Sequence, residues 1–441
     1  MNKKKLLLGL VFVFSCFVGA IIFAQKTNAN LDTIDSASLN WEGAKQLTTN
    51  ANASQGAIRP SIAISPDGQR IIVAYMYKTG SNAQDADPYY QFSNNYGKNW
   101  TSSPSPIRQS ADASRYVNVT IDANKNGHAV WTEKDNELWY RKESNWTSGG
   151  SNSRIFGGTS AGTFLIESPK IEAYGTNTLF LVWSNTEASG NDILFSRSFN
   201  GGTSWGSSKN ISFSGGESIL PDMAVDDSGN IHVVWQEQVN TDYVILYSRS
   251  TNSGTNWSNP IPVSNVTGVN PKVYNQPTIY VRGNQIHVAF ENRVSEQNQN
   301  AFYASCSKNC NSLSNWSGSK VSTQNYSVKD SDPAYLKPQM VMNGNCPLIM
   351  FSSIIGNPTA SDERIRISSG CESWSKNPVI SSVQGVMGTN QRAVAPSATT
   401  ANGWYIHLAF ERKDGSAATD VSQIFVTRNM PGLYLPVILK R

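Results

Sequence analysis

Charge is what this chain has least of: Asp, Glu, Lys and Arg make up only 15% of its 441 residues, with a formal net charge of +4. Nucleic-acid binding needs a clustered basic stripe, and so weak a balance gives no basis for one. Long amphipathic helical patterns are also missing, while Gly, Ser, Asn and Thr are plentiful, which points to an all-β chain. Histidine is scarce. His128, His232, His287 and His407 each lie three residues before the aromatic that ends an apolar run. A metal ligand or catalytic base is expected once, at a site unlike its repeat equivalents, so these four read as structural residues, half-buried and bonding across repeats, and no metal or cofactor is expected. Long hydrophobic runs are confined to Leu6 to Ala24, behind Met1-Asn2-Lys3-Lys4-Lys5. That is the layout of a secretory signal over residues 1–29, cleaved after Ala24 or Ala29, with an uncleaved anchor as the alternative.

What is present is a repeat. Pro221 to Trp257 contains two short β-branched runs, Met223 to Val225 and Ile231 to Trp235, around the turn Asp226-Asp227-Ser228-Gly229-Asn230. A third run, Val244 to Ser248, leads through a second turn to Trp257, and a fourth follows at Pro260 to Val263. The first half of this unit recurs from Pro60, Tyr116, Pro169, Pro277, Pro338 and Pro396, which with Pro221 makes seven copies. Spacing of this size suits four short strands with their loops, the unit of a propeller blade. Trp100, Trp146, Trp205, Trp257, Trp316 and Trp374 close the second turn of six copies. Leu39 to Thr48, ahead of the first copy, reads as the outer strand missing from the seventh, and its pairing there closes the ring without exposed edges. The expectation is one seven-bladed β-propeller of four-stranded antiparallel blades over residues 30–429.

Four cysteines remain beyond the leader, and an exported chain meets conditions in which they pair. Cys306 and Cys310 flank one short loop. Cys346 and Cys371 fall in the two turns that a four-stranded meander places at the same end of a blade, so Cys306–Cys310 and Cys346–Cys371 are the expected bridges. The spacing and the lack of accompanying histidine argue against zinc.

Ser93 to Trp100, Ser198 to Trp205 and Ser250 to Trp257 all fit S-x-[D/N]-x-G-x-x-W. This resembles the Asp-box, or bacterial neuraminidase repeat, of sialidase-like propellers, with Asn at the usual Asp position. The motif speaks for fold rather than chemistry. Ligands are expected at the opposite end, where strand four passes to strand one of the next blade and strand two to strand three. Those loops carry Arg59, Arg115, Glu167, Lys337 and Arg392, and also Tyr77, Glu133, Glu237, Glu291, Arg293, Glu411 and Arg412. Carboxylates, arginines and aromatics together suit a hydroxyl-rich ligand such as a glycan. The segment from Ala57 to Trp100 is similar to the start of a sialidase domain. That likeness implies Arg59 as a carboxylate anchor and Asp85 or Asp87 as acid/base; it places no further residue by motif, and loop position alone makes Arg293 and Arg412 candidate partner arginines and Glu237 with Tyr243 a candidate activating pair. Sialidases have six blades where seven are counted here. Two functions follow: a glycan-binding or other interaction module, or an exo-acting glycoside hydrolase of sialidase type. The apolar and basic tail, residues 430–441, is too short to span a bilayer and suggests retention at the cell surface of a monomeric, secreted protein.

Overall fold

The computed structural model describes residues 40–49, 56–78, 86–146, 153–157, 165–187, 190–295, 297–326, 336–353, 364–378, 391–401, 405–414 and 421–430. The expected leader and nearly all of the tail lie outside them. Seven antiparallel sheets follow one another along the chain. Their innermost strands are Ala57–Ile64, Ser114–Ile121, Ile166–Tyr174, Ser218–Val225, Tyr274–Arg282, Gln339–Asn343 and Gln391–Ala401. The chain is a seven-bladed β-propeller, with three strands described in the sixth blade.

The turns behave as their composition dictates. In the fourth blade, Asp226 accepts the backbone N–H groups of Ser228 and Asn230 at 2.9 and 2.8 Å, and Gly229 takes φ +78°. At the second turn, Ser250 Oγ accepts from Gly254 N–H at 2.8 Å and Asn252 Oδ1 from Asn256 N–H at 2.8 Å. A side chain thus satisfies donors that the turn leaves unpaired. Gly254 is required twice over. Its φ is +84°, and a Cβ there would lie 2.1 Å from the Phe195 ring of the preceding blade.

Among the described residues, the blades bury their faces against one another. The apolar clusters form between neighbours, one of them combining Val130, Leu138 and Tyr140 of the second blade with Leu179, Leu181 and Trp183 of the third. This is why a single repeat is unstable alone. The turn tryptophans are the wedges: Tyr90–Trp146, Tyr140–Trp205, Phe195–Trp257, Tyr247–Trp316 and Tyr303–Trp374 meet across successive blades at 4.5 to 5.3 Å between ring centroids. Around the axis, inner strands are tied by side chains. Ser61, Asn118, Asp222 and Ser397 accept the N–H of Val119, Ile171, Ile279 and Ile62 of the following blade. The last of these joins blade seven to blade one. Asn40–Trp41 and Lys45–Gln46 pair antiparallel with Val421–Met430, the place expected for a closing outer strand.

Both expected disulfides are present, Cys306–Cys310 and Cys346–Cys371. The histidines differ from expectation. They are buried rather than half-buried, and His128, His232 and His287 bond Tyr140, Tyr247 and Tyr303 of their own blades through Nδ1 at 2.6 to 2.8 Å. The step across blades is made by the tyrosine, as Tyr140 Oη donates to Gly201 O at 2.9 Å. The second repeat also begins one residue later than the sequence pattern suggests. Val117, not Tyr116, holds the place of Pro60, because the strand irregularity between Arg115 and Asn118 matches that between Ile58 and Ser61.

A ring of bulges at the channel mouth as candidate ligand site

Each inner strand enters its sheet through one left-handed residue. Arg59, Tyr116, Ser168, Leu220, Gln276, Lys337 and Ala395 all have φ between +48° and +56°. Six of the seven precede proline, which already disfavours helical conformations at that position, so the geometry is strained by about 1–3 kcal/mol each and held by its surroundings. Register shifts mark bulges there in the sheets of blades one to five and seven. In blade six, Leu336 O still accepts from Ser352 N–H at 2.8 Å, on the far side of Lys337. The bulge turns one side chain per blade toward the axis. All seven residues line a single cavity of about 490 Å³.

Inside this mouth the Arg59 guanidinium sits over the Tyr116 ring, 5.0 Å from its centroid. Tyr116 Oη donates to Glu167 Oε1 at 3.4 Å. Burial pushes the Tyr116 phenol up, Glu167 adds to the rise, and Arg59 and Arg115 oppose it, so the group is a neutral donor. Below, the cavity continues into an axial bore of about 330 Å³. Lys170 and Asp222 pair at 3.2 Å on its wall. Glu172 is partly exposed to the bore but surrounded by protein; burial, with repulsion from Asp222, pushes its carboxyl up to about 8.

The structure brings together Arg59, Glu167 and Lys337 of the expected loop residues. The other site residues named from the sequence that the structure describes do not line this cavity. Glu133 is buried, accepts from Trp131 Nε1 at 2.8 Å and faces Arg108 at 3.3 Å. Glu237 is taken up by Trp235 Nε1 at 2.9 Å and Ser218 Oγ at 2.6 Å, so the phenol–carboxylate pair at the mouth is Tyr116–Glu167 rather than Tyr243–Glu237. Glu291 Oε2 accepts the backbone N–H of Leu336 at 2.6 Å and of Lys337 at 3.3 Å. Glu411 Oε2 accepts that of Arg59 at 3.4 Å. These two buried carboxylates therefore hold bulges of the following blade. Arg115 pairs with Asp135 at 2.8 Å. Arg412 lies over the Phe425 ring at 4.1 Å, and neither it nor Arg293 borders the mouth.

Asp85 and the side chain of Arg392 lie outside the described part. Asp87 is buried in the first blade and accepts from Ser110 N–H at 3.1 Å. Burial, with Glu133 adding, lifts its carboxyl to about 6. Tyr116, Ser168, Leu220, Gln276 and Ala395 were not among the site residues expected from the sequence. The signal was there, since the bulge residue stands immediately before the proline of nearly every copy.

No protein-family model matches the chain, and no curated protein matches it. Among solved structures, it is similar to an ulvan lyase bound to -[GlcA(1-4)Rha3S]-, with TM-score 0.58 and 11% identity over 87% of this chain and 95% of that one. The phage phi92 endosialidase gives TM-score 0.52 and 11% identity over 91% and 71%. A protein of unknown function from Dyadobacter fermentans gives TM-score 0.50 and 15% identity over 88% and 100%. Identities this low carry the fold and nothing further: in architecture, the chain is a seven-bladed β-propeller.

Proposed function

We propose that this is an extracellular propeller that binds an acidic glycan at the mouth of its axial channel. The observation that carries the reading is Arg59, stacked on Tyr116 and opening into a concave site to which every blade contributes a side chain. A guanidinium fork matches a planar carboxylate, an aromatic face accepts the apolar side of a sugar ring, and Ser, Asn and Gln serve its hydroxyls. The structural neighbours include proteins named for polysaccharide and sialoside chemistry, which favours a saccharide over a peptide. Export is supported by the two disulfides and by the basic and apolar start of the chain. A glycan array followed by calorimetry tests the reading. Acidic glycans should bind, and Arg59→Gln should weaken them roughly tenfold or more. Binding of neutral sugars alone, or no effect of Arg59→Gln, would overturn it. Retention at the cell surface through residues 430–441 belongs to the same proposal, and a tail-deleted protein should then move from cells to medium.

The alternative, an exo-acting glycoside hydrolase of sialidase type, is favoured by the Tyr116–Glu167 contact beside Arg59. Because Tyr116 is held protonated, nucleophilic attack would require Glu167 to take its proton. Asp85 remains the acid/base of this reading. Turnover of a fluorogenic sialoside that disappears in Tyr116→Phe would establish the enzyme, whereas glycan binding without turnover selects the binding module.

A further inference from the structure

Two of the seven bulge residues are cations, and they stand in matched seats. Arg59 in blade one and Lys337 in blade six have φ of +54° and +48°, and each has its N–H held by a buried glutamate of the preceding blade, Glu411 and Glu291. Between them lies blade seven, whose own bulge residue, Ala395 at φ +49°, ends at a methyl group. All three line the mouth cavity. Equal backbone conformation in equivalent blades repeats the direction of each Cβ, so two long cationic side chains flank a gap one blade wide. None of the seven bulge residues is a carboxylate; Glu167 of blade three lines the same mouth, against Tyr116.

We propose that Arg59 and Lys337 grip two separate anionic groups of one saccharide lying across Ala395, so the ligand is a diacidic unit such as a uronate that also carries a sulfate ester. This rests on the acidic-glycan reading above and specifies it. The carboxylate faces the guanidinium fork of Arg59, and the second anion meets the more compact ammonium of Lys337. The small side chain at 395 leaves the sugar ring room between them.

The ring supplies its own substitutions for the test. Gln276 and Leu220 already occupy equivalent seats at φ +49° and +55°, so Lys337→Gln and Ala395→Leu place side chains that this backbone accepts. The probes are matched uronate-containing disaccharides with and without one sulfate ester, titrated calorimetrically at low salt. The wild type should bind the sulfated member of at least one pair roughly tenfold tighter, and Lys337→Gln should abolish that preference by weakening the sulfated member more than the unsulfated one. Ala395→Leu should weaken the sulfated member at least as much. Equal affinity within every pair, a preference that survives Lys337→Gln, or indifference to Ala395→Leu overturns the two-cation grip while leaving Arg59-dependent binding standing. Failure of every acidic disaccharide to bind removes the acidic-glycan reading and this inference with it.

Discussion

A single residue can serve the scaffold or the ligand, and burial separates the two. Glu133, Glu237, Glu291 and Glu411 look in sequence like a carboxylate-lined face, yet each ends against tryptophan, serine, arginine or a bulge backbone. Glu291 allows a sharp test. Its folded carboxyl lies near 8, raised by burial from an ordinary 4.5. Between those pH values the folded chain keeps a proton that the unfolded chain has released, so this group's contribution to stability falls as pH rises from 4.5 to 8 and then levels. Gln in its place can still accept both N–H bonds without that titration. The Glu291→Gln protein should therefore gain on the wild type in unfolding midpoint between pH 5 and pH 8; a difference that stays constant would assign the burial cost elsewhere.

At the scale of the element, the second turn is a device for joining blades. Its side chains close the loop, and its tryptophan leaves the blade to pack on the aromatic of the one before. Trp146 is fully buried and meets Tyr90 edge to face at 4.5 Å. Trp146→Ala should cost about 3–5 kcal/mol in denaturant unfolding, the range for deleting a buried large aromatic. A loss near zero would mean that this seam is held by other contacts. The inner-strand bulge is the second repeated device, and it fixes the direction of a side chain whose identity varies freely among Arg, Tyr, Ser, Leu, Gln, Lys and Ala.

Across the whole molecule, closure is the shared condition. Strand Val421–Met430 receives Leu47 N–H at Ile424 O and Glu42 N–H at Arg428 O, at 2.8 and 2.9 Å, and Arg428 Nε pairs with Glu42 at 2.7 Å. Without residues 30–48, that strand would present a bare edge to other chains. Size-exclusion chromatography of the truncated protein should show concentration-dependent oligomers and an earlier melting transition, whereas an unchanged monomer of unchanged stability would assign closure to the Ser397–Ile62 and Glu411–Arg59 contacts alone.

The sequence by itself determined the blade count, the strand order within each blade and both disulfides. Those depend on local period and turn chemistry, which a chain displays in order. It also marked Arg59. Only the tertiary structure decided which loop residues share a site, because whether Glu291 points at solvent or at Lys337 depends on the neighbouring blade, some forty-five positions further along. The same holds for Tyr116 with Glu167 and for Ala395 between two cations, since their proximity arises from a ring of bulges seen as a circle only once seven separate strands meet on one axis.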